Sequence, residues 1–269
     1  METLPQALLS DRGLAYGQGL FETIRVQHGR APLAADHRQR MLRGAQQLGL
    51  PLTPAQFDQA LAHGLARAGD ALSVIKLVLT AGSGGRGYAS PAHPRVSLSA
   101  AVFPYSPRPA LQYQQGMVVG VCKTRLADAG ALAGLKHLAR LEQVLAADEV
   151  RAHGWDEGMV LDARQRPLEL TSMNLFARFG DRLWTPALDR AGVNGVMRQR
   201  ILASGLSGTG VELCRRPRVL ADLRHADEIF ACNAVAGVLP VRKLALWHWP
   251  VGDLTRRLQS TVENWFLSP

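Results

Sequence analysis

Apolar residues recur at helical spacing in several parts of the chain. Residues 34–50 and 54–68 repeat apolar positions every three or four residues, which is typical of amphipathic helices that bury one face. Thr53 and Pro54 favour a helix start at the second segment, because threonine caps free backbone N–H groups and proline fits the first turn. The same spacing predicts further helices over residues 135–151, 196–203 and 253–265.

Short runs rich in β-branched and apolar residues alternate with these helices and predict strands. They cover residues 21–26, 73–80, 96–103, 117–122, 158–161, 175–179 and 229–232. Residues 104–109 contain three prolines, which exclude a helix or a central strand there. We therefore predict a small N-terminal domain, a linker and a larger C-terminal domain over residues 1–104, 105–110 and 111–269.

The composition is that of a folded protein that can bury a substantial core. The chain has 269 residues, 47% of them hydrophobic, and no apolar run long enough to suggest a membrane-spanning helix. The N-terminus lacks the basic start and apolar run of a secretory signal. Cys122, Cys214 and Cys232 are odd in number and far apart, which favours reduced thiols over disulfides. We therefore expect a cytoplasmic protein.

The formal net charge of +9 fits two kinds of partner, nucleic acid or a small anionic substrate or cofactor. The arginines are scattered among acidic residues, with no basic block and no row of aromatics between basic positions, so we expect no nucleic-acid partner. The eight histidines include no pair at metal-ligand spacing, and no Gly-x-Ser-x-Gly motif is present. We therefore expect neither a metal site nor a serine nucleophile.

Two charged residues stand in positions that favour catalysis but have ordinary alternatives. Lys136 lies near the start of the helix predicted over residues 135–151, where the helix dipole promotes the neutral amine that a Schiff-base nucleophile requires. A solvated lysine is the alternative. Glu169 precedes two hydroxyl residues, an asparagine and a predicted strand, and a buried carboxylate there would need a cationic or hydrogen-bonding partner. An acid in a polar turn is the alternative.

Two glycine-rich segments are candidates for binding anions. Gly192 and Gly195 lead into the helix predicted over residues 196–203, where converging N–H groups and the helix dipole favour a phosphate. Residues 81–88 contain four glycines and Arg86, whose guanidinium can hold a carboxylate through two hydrogen bonds. A glycine turn without a ligand, and a flexible surface loop with an incidental arginine, are the alternatives.

The order and spacing of these segments resemble the fold-type IV pyridoxal-phosphate (PLP) enzymes, which include branched-chain and D-amino acid aminotransferases and a pyruvate-releasing lyase. The family's Glu-x-Ser/Thr-x-x-Asn-Leu-Phe motif appears at residues 169–176, with Lys136 upstream in the expected order. Residues 11–25 are similar to the family's N-terminal segment, and residues 36–40 to its His-x-x-Arg helix start. The resemblance extends over residues 11–240, most of the chain.

The resemblance implies an α+β, two-lobed fold-type IV fold, with a small N-terminal α/β lobe, a larger C-terminal lobe with a barrel-like sheet, and the cofactor in the cleft. It implies PLP as the cofactor, Lys136 as the Schiff-base lysine and general acid and base, and Glu169 at the pyridine nitrogen. Arg40 is expected to pair with the phosphate. Backbone groups expected to complete the phosphate site belong to Val193, Asn194, Gly195, Val196, Ala234 and Val235.

Residues 82–88 and 133–145 resemble the lyase branch of the family, which converts 4-amino-4-deoxychorismate to 4-aminobenzoate and pyruvate. Arg86 and Lys76, with Tyr88 beside them, are then expected to bind the two substrate carboxylates, and Thr23 is expected near the reacting centre. The Arg-x-His pair of D-amino acid aminotransferases is absent, since Arg-Gly-Tyr stands in its place. An aminotransferase that uses the same lysine, glutamate and phosphate-binding arginine is the alternative.

The resemblance also implies partners. A homodimer is expected from the family, and aminodeoxychorismate synthase is the expected neighbour in folate biosynthesis. Beyond these, we expect a small-molecule substrate, and neither nucleic acid nor a membrane.

Overall fold

The computed structural model describes residues 5–204, 212–214 and 216–267. The chain divides into two compact units. Unit 1 extends through Tyr105 and includes Leu135–Arg140, whereas unit 2 contains Ser106–Gly134 and Leu141–Phe266. The six residues around Lys136 therefore belong with the N-terminal part of the chain, an exchange that the linear boundaries predicted from the sequence do not contain.

Unit 1 is built on a three-stranded antiparallel sheet. Its strands, in spatial order, are β1 (Gly19–Val26), β2 (Ser73–Thr80) and β3 (Ser97–Pro104). Its helices are α1 (Gln6–Leu9), α2 (Arg12–Tyr16), α3 (Ala34–Gln47) and α4 (Pro54–Ala68). The strands and the two longer helices predicted from the sequence are confirmed here. Thr53 caps α4 together with Gln56, each side chain accepting a hydrogen bond from the other's backbone N–H.

The core of unit 1 lies between one face of this sheet and the helices α3 and α4. Successive side chains of a strand point to opposite faces, so β1 buries every second residue. The core includes the fully or almost fully buried residues Ile24, Met41, Phe57, Ile75 and Leu77. Burial of each such side chain contributes roughly 1.5–3 kcal/mol to the free energy of folding. This packing fixes β1, β2 and α3 in position relative to one another.

Unit 2 contains a nine-stranded sheet. Its strands are β4 (Met117–Leu126), β5 (Glu157–Asp162), β6 (Pro167–Leu170), β7 (Asn174–Phe179), β8 (Arg182–Trp184), β9 (Glu212–Cys214), β10 (Glu228–Asn233), β11 (Gly237–Leu244) and β12 (Trp247–His248). Six of them close into a ring in the order β10-β11-β4-β5-β6-β7, because β7 also pairs with β10. The barrel-like sheet expected from the resemblance is confirmed.

A single buried apolar cluster draws on all six strands of this ring. Met159, Leu161, Leu175, Ile229 and Leu239 are among its members, as expected for a small barrel whose interior is filled by side chains. The helices of unit 2 are α5 (Ala110–Gln115), α6 (Leu141–His153), α7 (Val196–Ala203) and α8 (Asp253–Leu267), with 3-10 turns at Gly130–Leu132 and Leu220–His225. The predicted helices over 196–203 and 253–265 are confirmed.

The helix predicted over residues 135–151 is wrong in its first turns, since α6 begins only at Leu141. Residues before it are extended and pair with the free edge of β1: the N–H of Phe21 donates to the carbonyl of Lys136, and the N–H of Leu138 donates to the carbonyl of Gly19. This non-local pairing overrides the local helical pattern. Lys136 is therefore not at a helix N-terminus, and the dipole argument made from the sequence does not apply to it.

Two further expectations concern the whole chain. Among the residues that the structure describes, no helix is long and apolar enough to cross a membrane. Cys122 and Cys232 are buried free thiols, and burial raises the pKa of Cys122 to about 11 and that of Cys232 to about 12. Both therefore remain protonated at neutral pH and are poor nucleophiles. The side chain of Cys214 lies outside the described residues.

Candidate active site

The outer face of the unit 1 sheet, opposite the core, brings together several predicted site residues. Phe21 and Thr23 alternate with the buried Leu20 and Glu22 along β1, so they project from the outer face. Thr23 pairs directly with Lys76 of β2. Side chains of directly opposed residues in an antiparallel pair start about 5 Å apart. The register of the two strands therefore places the side chains of Thr23 and Lys76 next to each other on this face.

The ring of Phe21 lies beside two lysine amines. The Nζ atom of Lys136 is 4.3 Å from the ring centroid, and the Nζ atom of Lys76 is 5.6 Å from it. An ammonium within about 6 Å of an aromatic face gains roughly 0.5–1 kcal/mol or more from the ring quadrupole. The extended segment that contains Lys136 is fixed on β1 by backbone hydrogen bonds, so the lysine predicted as the Schiff-base residue and the lysine predicted to bind substrate share one aromatic neighbour.

Behind the same strand lies a buried ionic cluster of three residues. Glu22 is 1% exposed. Its carboxylate accepts hydrogen bonds from Arg40 through Nε, at 2.9 Å, and through Nη2. His37, one turn earlier on α3 and also 1% exposed, places its Nδ1 atom 2.6 Å from the same carboxylate. The cluster fixes the orientation of Arg40, because two donors of its planar fork are already engaged.

The titration of this cluster follows from its contacts. Burial alone would raise the pKa of Glu22, but the charge of Arg40, followed by the interaction with His37 and the hydrogen bonds of both residues, lowers it to about 2. Burial lowers the pKa of His37 below its ordinary value, and this outweighs the opposing effect of Glu22. His37 is therefore neutral at pH 7. Because an ionised carboxylate only accepts hydrogen bonds, we assign the ring proton of His37 to Nδ1.

In unit 2, a glycine-containing loop contacts Glu169, the residue predicted to bind the pyridine nitrogen of the cofactor. The carboxylate of Glu169, which is 5% exposed, accepts the N–H of Val193 at 2.8 Å. Gly192 has φ +83°, and a Cβ atom there would lie 3.1 Å from the carboxylate of Glu169 and 2.8 Å from Leu188. Glycine is required at this position because a side chain would be both strained and crowded. The loop backbone therefore both packs closely against the Glu169 carboxylate and donates a hydrogen bond to it.

Neighbouring residues hold the rest of this loop. Asn174 donates to the carbonyl of Val193 at 2.8 Å, and the space that a Cβ of Gly195 would need is filled by the Asn174 amide. The buried Arg198 donates to Asn194 at 2.9 Å. The helix α7 begins after Gly195 with no side-chain cap. Its first N–H groups and the positive end of its dipole therefore suit an anion such as a phosphate.

The other predicted phosphate contact is a turn between β10 and β11. The side-chain oxygen of Asn233 accepts the N–H groups of Val235 at 3.0 Å and of Ala236 at 2.7 Å. The turn is therefore closed by its own asparagine. Contacts from Ala234 and Val235 to a phosphate stay a prediction.

The hydroxyl residues of the motif that follows Glu169 have a structural partner. Thr171 and Ser172 both donate to the carboxylate of Glu157, which is 3% exposed. Arg108, from the proline-rich segment, forms an ion pair with the same carboxylate. These contacts fix the turn between β6 and β7, and so the strand that carries Glu169.

The glycine-rich loop after β2 is ordered by contacts within unit 1. Arg86 and Tyr88 are both exposed, Tyr88 by 88%. Gly82 has φ +71°, and a Cβ atom there would collide with the carbonyl of Arg95. The backbone at Gly82 therefore packs closely against that of Arg95. The roles of Arg86 and Tyr88 in binding substrate stay predictions.

Sequence reasoning missed Phe21, Glu22 and His37 as members of the site, although each lies in a segment matched to the family. The usable signal was the alternation of β1, since a carboxylate on the core-facing side of a strand requires a charged or hydrogen-bonding partner. Among the described residues no cluster of histidine, cysteine or acidic side chains is suited to a metal ion.

This architecture is that of a two-unit enzyme: unit 2 contains a six-stranded barrel and a helix α7 whose start has no side-chain cap, and unit 1 holds a lysine on the edge strand of its sheet. Residues 19–244 match the family Amino-transferase class IV, and the chain belongs to that family.

Three known proteins illustrate the similarity. The chain is 35% identical to an aminodeoxychorismate lyase from Vibrio harveyi over 266 residues, which are 95% of each chain. It is 42% identical to the crystal structure of 4-amino-4-deoxychorismate lyase from Pseudomonas aeruginosa, with a TM-score of 0.90 over 98% of this chain and 96% of that one. A hypothetical aminotransferase from Mycobacterium tuberculosis in its PLP-bound form, at 19% identity, shares the fold with a TM-score of 0.81 over 100% and 95% of the two chains.

Proposed function

We propose that this chain is a PLP-dependent lyase that converts 4-amino-4-deoxychorismate to 4-aminobenzoate and pyruvate. The observation that carries the proposal is the outer face of the unit 1 sheet, where Thr23 and Lys76 are paired and both Lys76 and Lys136 lie beside Phe21. The similarity to lyases from two organisms supports this choice within the family.

The residues present fit PLP. The buried carboxylate of Glu169 suits a protonated ring nitrogen, and the uncapped start of α7 suits a phosphate. When bound through Lys136, PLP supplies an electron sink for a carbanion formed at the substrate carbon that bears the amine. The remaining proposed cofactor contacts are those of Arg40, Val193, Asn194, Gly195, Val196, Ala234 and Val235.

Arg40 has one clear way to contact a phosphate. Its Nε and Nη2 atoms are engaged by the Glu22 carboxylate. We assign the phosphate to its other terminal nitrogen, Nη1. Glu22 thereby orients the guanidinium and compensates part of its charge, while His37 holds the carboxylate from the side of α3.

The chain's own residues then perform two tasks on the substrate. Arg86 and Lys76 bind its two carboxylates, with Tyr88 beside them, and so orient the ring. The amine of Lys136 removes the proton from the carbon that bears the substrate amine and returns a proton to the departing enolpyruvyl group, which leaves as pyruvate when its C–O bond breaks. The hydroxyl of Thr23 is a hydrogen-bond partner near the reacting carbon. Formation of the aromatic ring drives the elimination.

The assay that tests this proposal measures both products. Purified protein is incubated with aminodeoxychorismate, made in place by aminodeoxychorismate synthase from chorismate and glutamine, and 4-aminobenzoate and pyruvate are quantified. We expect equal amounts of both, lost in Lys136→Ala and retained in Lys123→Ala, whose side chain is exposed. Turnover of D-alanine or a branched-chain amino acid that requires 2-oxoglutarate, without either product, would favour the aminotransferase alternative instead.

We also propose a homodimer in the cytoplasm. Leu141, Val144 and Leu145 of α6 are 71%, 54% and 50% exposed. Exposed apolar side chains grouped on one helix are typical of a face that another molecule covers. Light scattering of the purified protein should give twice the chain mass of 29.2 kDa, and a charged substitution at Leu141 should shift it towards the monomer.

A further inference from the structure

The buried Arg12 at the start of α2 is directed at the glycine-rich loop after β2. It is 2% exposed, which is rare for an arginine without a paired carboxylate. Its Nη1 atom donates to the carbonyl of Gly87 at 3.0 Å, and its Nη2 atom donates to the carbonyl of Tyr88 at 2.7 Å. Within the described part of the chain, Arg12 has no ion pair. Its guanidinium instead donates to the backbone carbonyls of the two residues that follow Arg86.

Other contacts lock the arginine and the loop together. The Nε atom of Arg12 donates to the side-chain oxygen of Gln18 at 2.5 Å, and the amide of Gln18 donates to Ser90 at 2.8 Å. A Cβ atom on Gly84 would lie 2.5 Å from the Cδ atom of Arg12, so the loop backbone rests on the arginine stem. The guanidinium also lies 4.8 Å from the ring centroid of Tyr16.

Tyr16 reinforces the same turn from the end of α2. Its hydroxyl accepts the N–H of Gly87 at 3.1 Å, and its ring packs edge to face on Tyr88 at 5.5 Å. The peptide groups on both sides of Gly87 are therefore fixed. Arg86, immediately before them, has an exposed side chain. A fixed backbone under an exposed guanidinium is the arrangement that reduces the conformational entropy lost when that guanidinium binds a ligand.

We propose that Arg12 is a positioning residue that fixes the loop of residues 82–90 and thereby presents Arg86 to a carboxylate of the substrate. The assignment of Arg86 to a carboxylate rests on the function proposed above, whereas the contact between Arg12 and the loop does not. Arg12→Lys removes the fork of donors but keeps the charge, and a lysine cannot bond both carbonyls in the same fixed geometry.

The first arm of the test is limited proteolysis with trypsin, which cleaves after Arg86. The PLP-loaded protein is digested, and the appearance of fragments that begin at Gly87 is followed by mass spectrometry. We expect cleavage at this bond to be at least about fivefold faster in Arg12→Lys than in the parent. Arg67→Lys, an exposed change on α4, is the matched control and should leave the rate unchanged. An unchanged cleavage rate in Arg12→Lys, with an intact fold, would show that Arg12 does not fix the loop of residues 82–90.

The second arm measures KM and kcat for the lyase reaction in a double-mutant cycle. Arg12→Lys should raise KM about tenfold and change kcat by less than about threefold, since loss of charge-assisted hydrogen bonds weakens positioning of a binding residue. In an Arg86→Gln background, Arg12→Lys should add little. An equal increase of KM with and without Arg86 overturns the assigned role.

The two arms separate this inference from the proposed function. Faster cleavage in Arg12→Lys, together with a parent protein that has no lyase activity, would support the fixing of the loop by Arg12. It would refute the role of Arg86 with this substrate. Cofactor absorbance and far-ultraviolet circular dichroism are recorded for each variant. If Arg12→Lys does not fold, Tyr16→Phe removes the acceptor of the Gly87 N–H and should give a smaller acceleration of the same cleavage.

Discussion

The outer face of the unit 1 sheet and the loop before α7 in unit 2 present their chemistry in different ways. On the sheet, the groups proposed to take part in the reaction are side chains, and the register of β1 and β2 sets where they project. In the loop, the groups proposed to bind the phosphate are backbone N–H groups, and their directions depend on glycines at positions 192 and 195. The sheet is supported from behind by the buried cluster of Glu22, Arg40 and His37. A change in that cluster should lower the free energy of unfolding, whereas a change in the loop should lower the affinity for PLP.

The largest effect is expected from the ionic cluster behind the sheet. Glu22→Gln keeps the shape of the side chain but leaves Arg40 without its charge partner, and loss of one member of a buried ion pair costs about 3–5 kcal/mol. Urea denaturation measures the free energy of unfolding. The matched control is Asp58→Asn, whose ion pair with Arg38 on the same helix α3 is about half exposed and should matter by less than about 1 kcal/mol. Equal losses in both variants would contradict this view of unit 1.

Acid should weaken unit 1 through the same cluster. The folded-state pKa of His37 and of Glu22 are both lowered, so the unfolded chain binds protons that the folded protein does not. The free energy of unfolding should fall below pH 6.5, because His37 is then protonated in the unfolded chain but not in the folded protein. His137 should add to this effect, since burial and the charge of Arg140 lower its pKa to about 4. The free energy of unfolding should fall again between pH 4.5 and 2 by about 3 kcal/mol from Glu22, since a tenfold change in proton binding is worth about 1.4 kcal/mol.

Unfolding free energies measured by urea at a series of pH values test this sign. A His37→Gln variant should lose part of the slope below pH 6.5. A protein that becomes more stable as the pH falls from 6.5 to 5 would contradict the assignment of a neutral, buried His37.

The loop of unit 2 should respond in affinity. Gly192→Ala places a Cβ atom against Leu188 and the Glu169 carboxylate at φ +83°, so we expect the Kd for PLP to rise by about tenfold or more. Gly154→Ala is the matched control, because Gly154 has φ +67° but open space around it. Both variants share the backbone strain of about 1–2 kcal/mol. If PLP affinity, measured by titration of the apoprotein, changes equally in both, the loop is not the phosphate seat.

The smallest effect is expected from one side chain on the outer face of the sheet. Lys76→Gln should raise KM about tenfold and leave kcat within a few fold, because it removes one charge from substrate binding and none from proton transfer. Steady-state kinetics of the lyase reaction measure this split. Lys123→Gln, an exposed lysine of β4, should change neither constant, and a fall in kcat alone in Lys76→Gln would place that residue at the chemical step.

Local signals predicted much of the fold. The helix α4 was found with its cap because Thr53, Pro54 and the apolar spacing all act within one segment. The strands β1 and β2 were found for the same reason. The start of α6 was misplaced because residues 135–140 pair with β1, more than a hundred residues earlier in the chain, and no local pattern contains that pairing. The strand β11 was missed, since Pro240 in its centre argues against a strand when the sequence is considered alone.

The site divides in a similar way. The order of the motifs predicted roles for Lys136, Glu169 and Arg40, which stay predictions, and gave the family, which is confirmed. Glu22 and His37 were not identified, because their importance arises from a hydrogen-bonded cluster that joins β1 to α3. Arg12 was likewise invisible as an anchor, since its contacts with Gly87 and Tyr88 depend on how the loop folds back over α2.

The most direct test of the central assignment is chemical labelling of the cofactor lysine. The PLP-loaded protein is reduced with borohydride, digested and analysed by mass spectrometry. Only four lysines are available, at positions 76, 123, 136 and 243. We predict that the pyridoxyl group is found on the peptide that contains Lys136. A label on Lys76, whose amine also lies beside Phe21, or no stable label at all, would contradict the account.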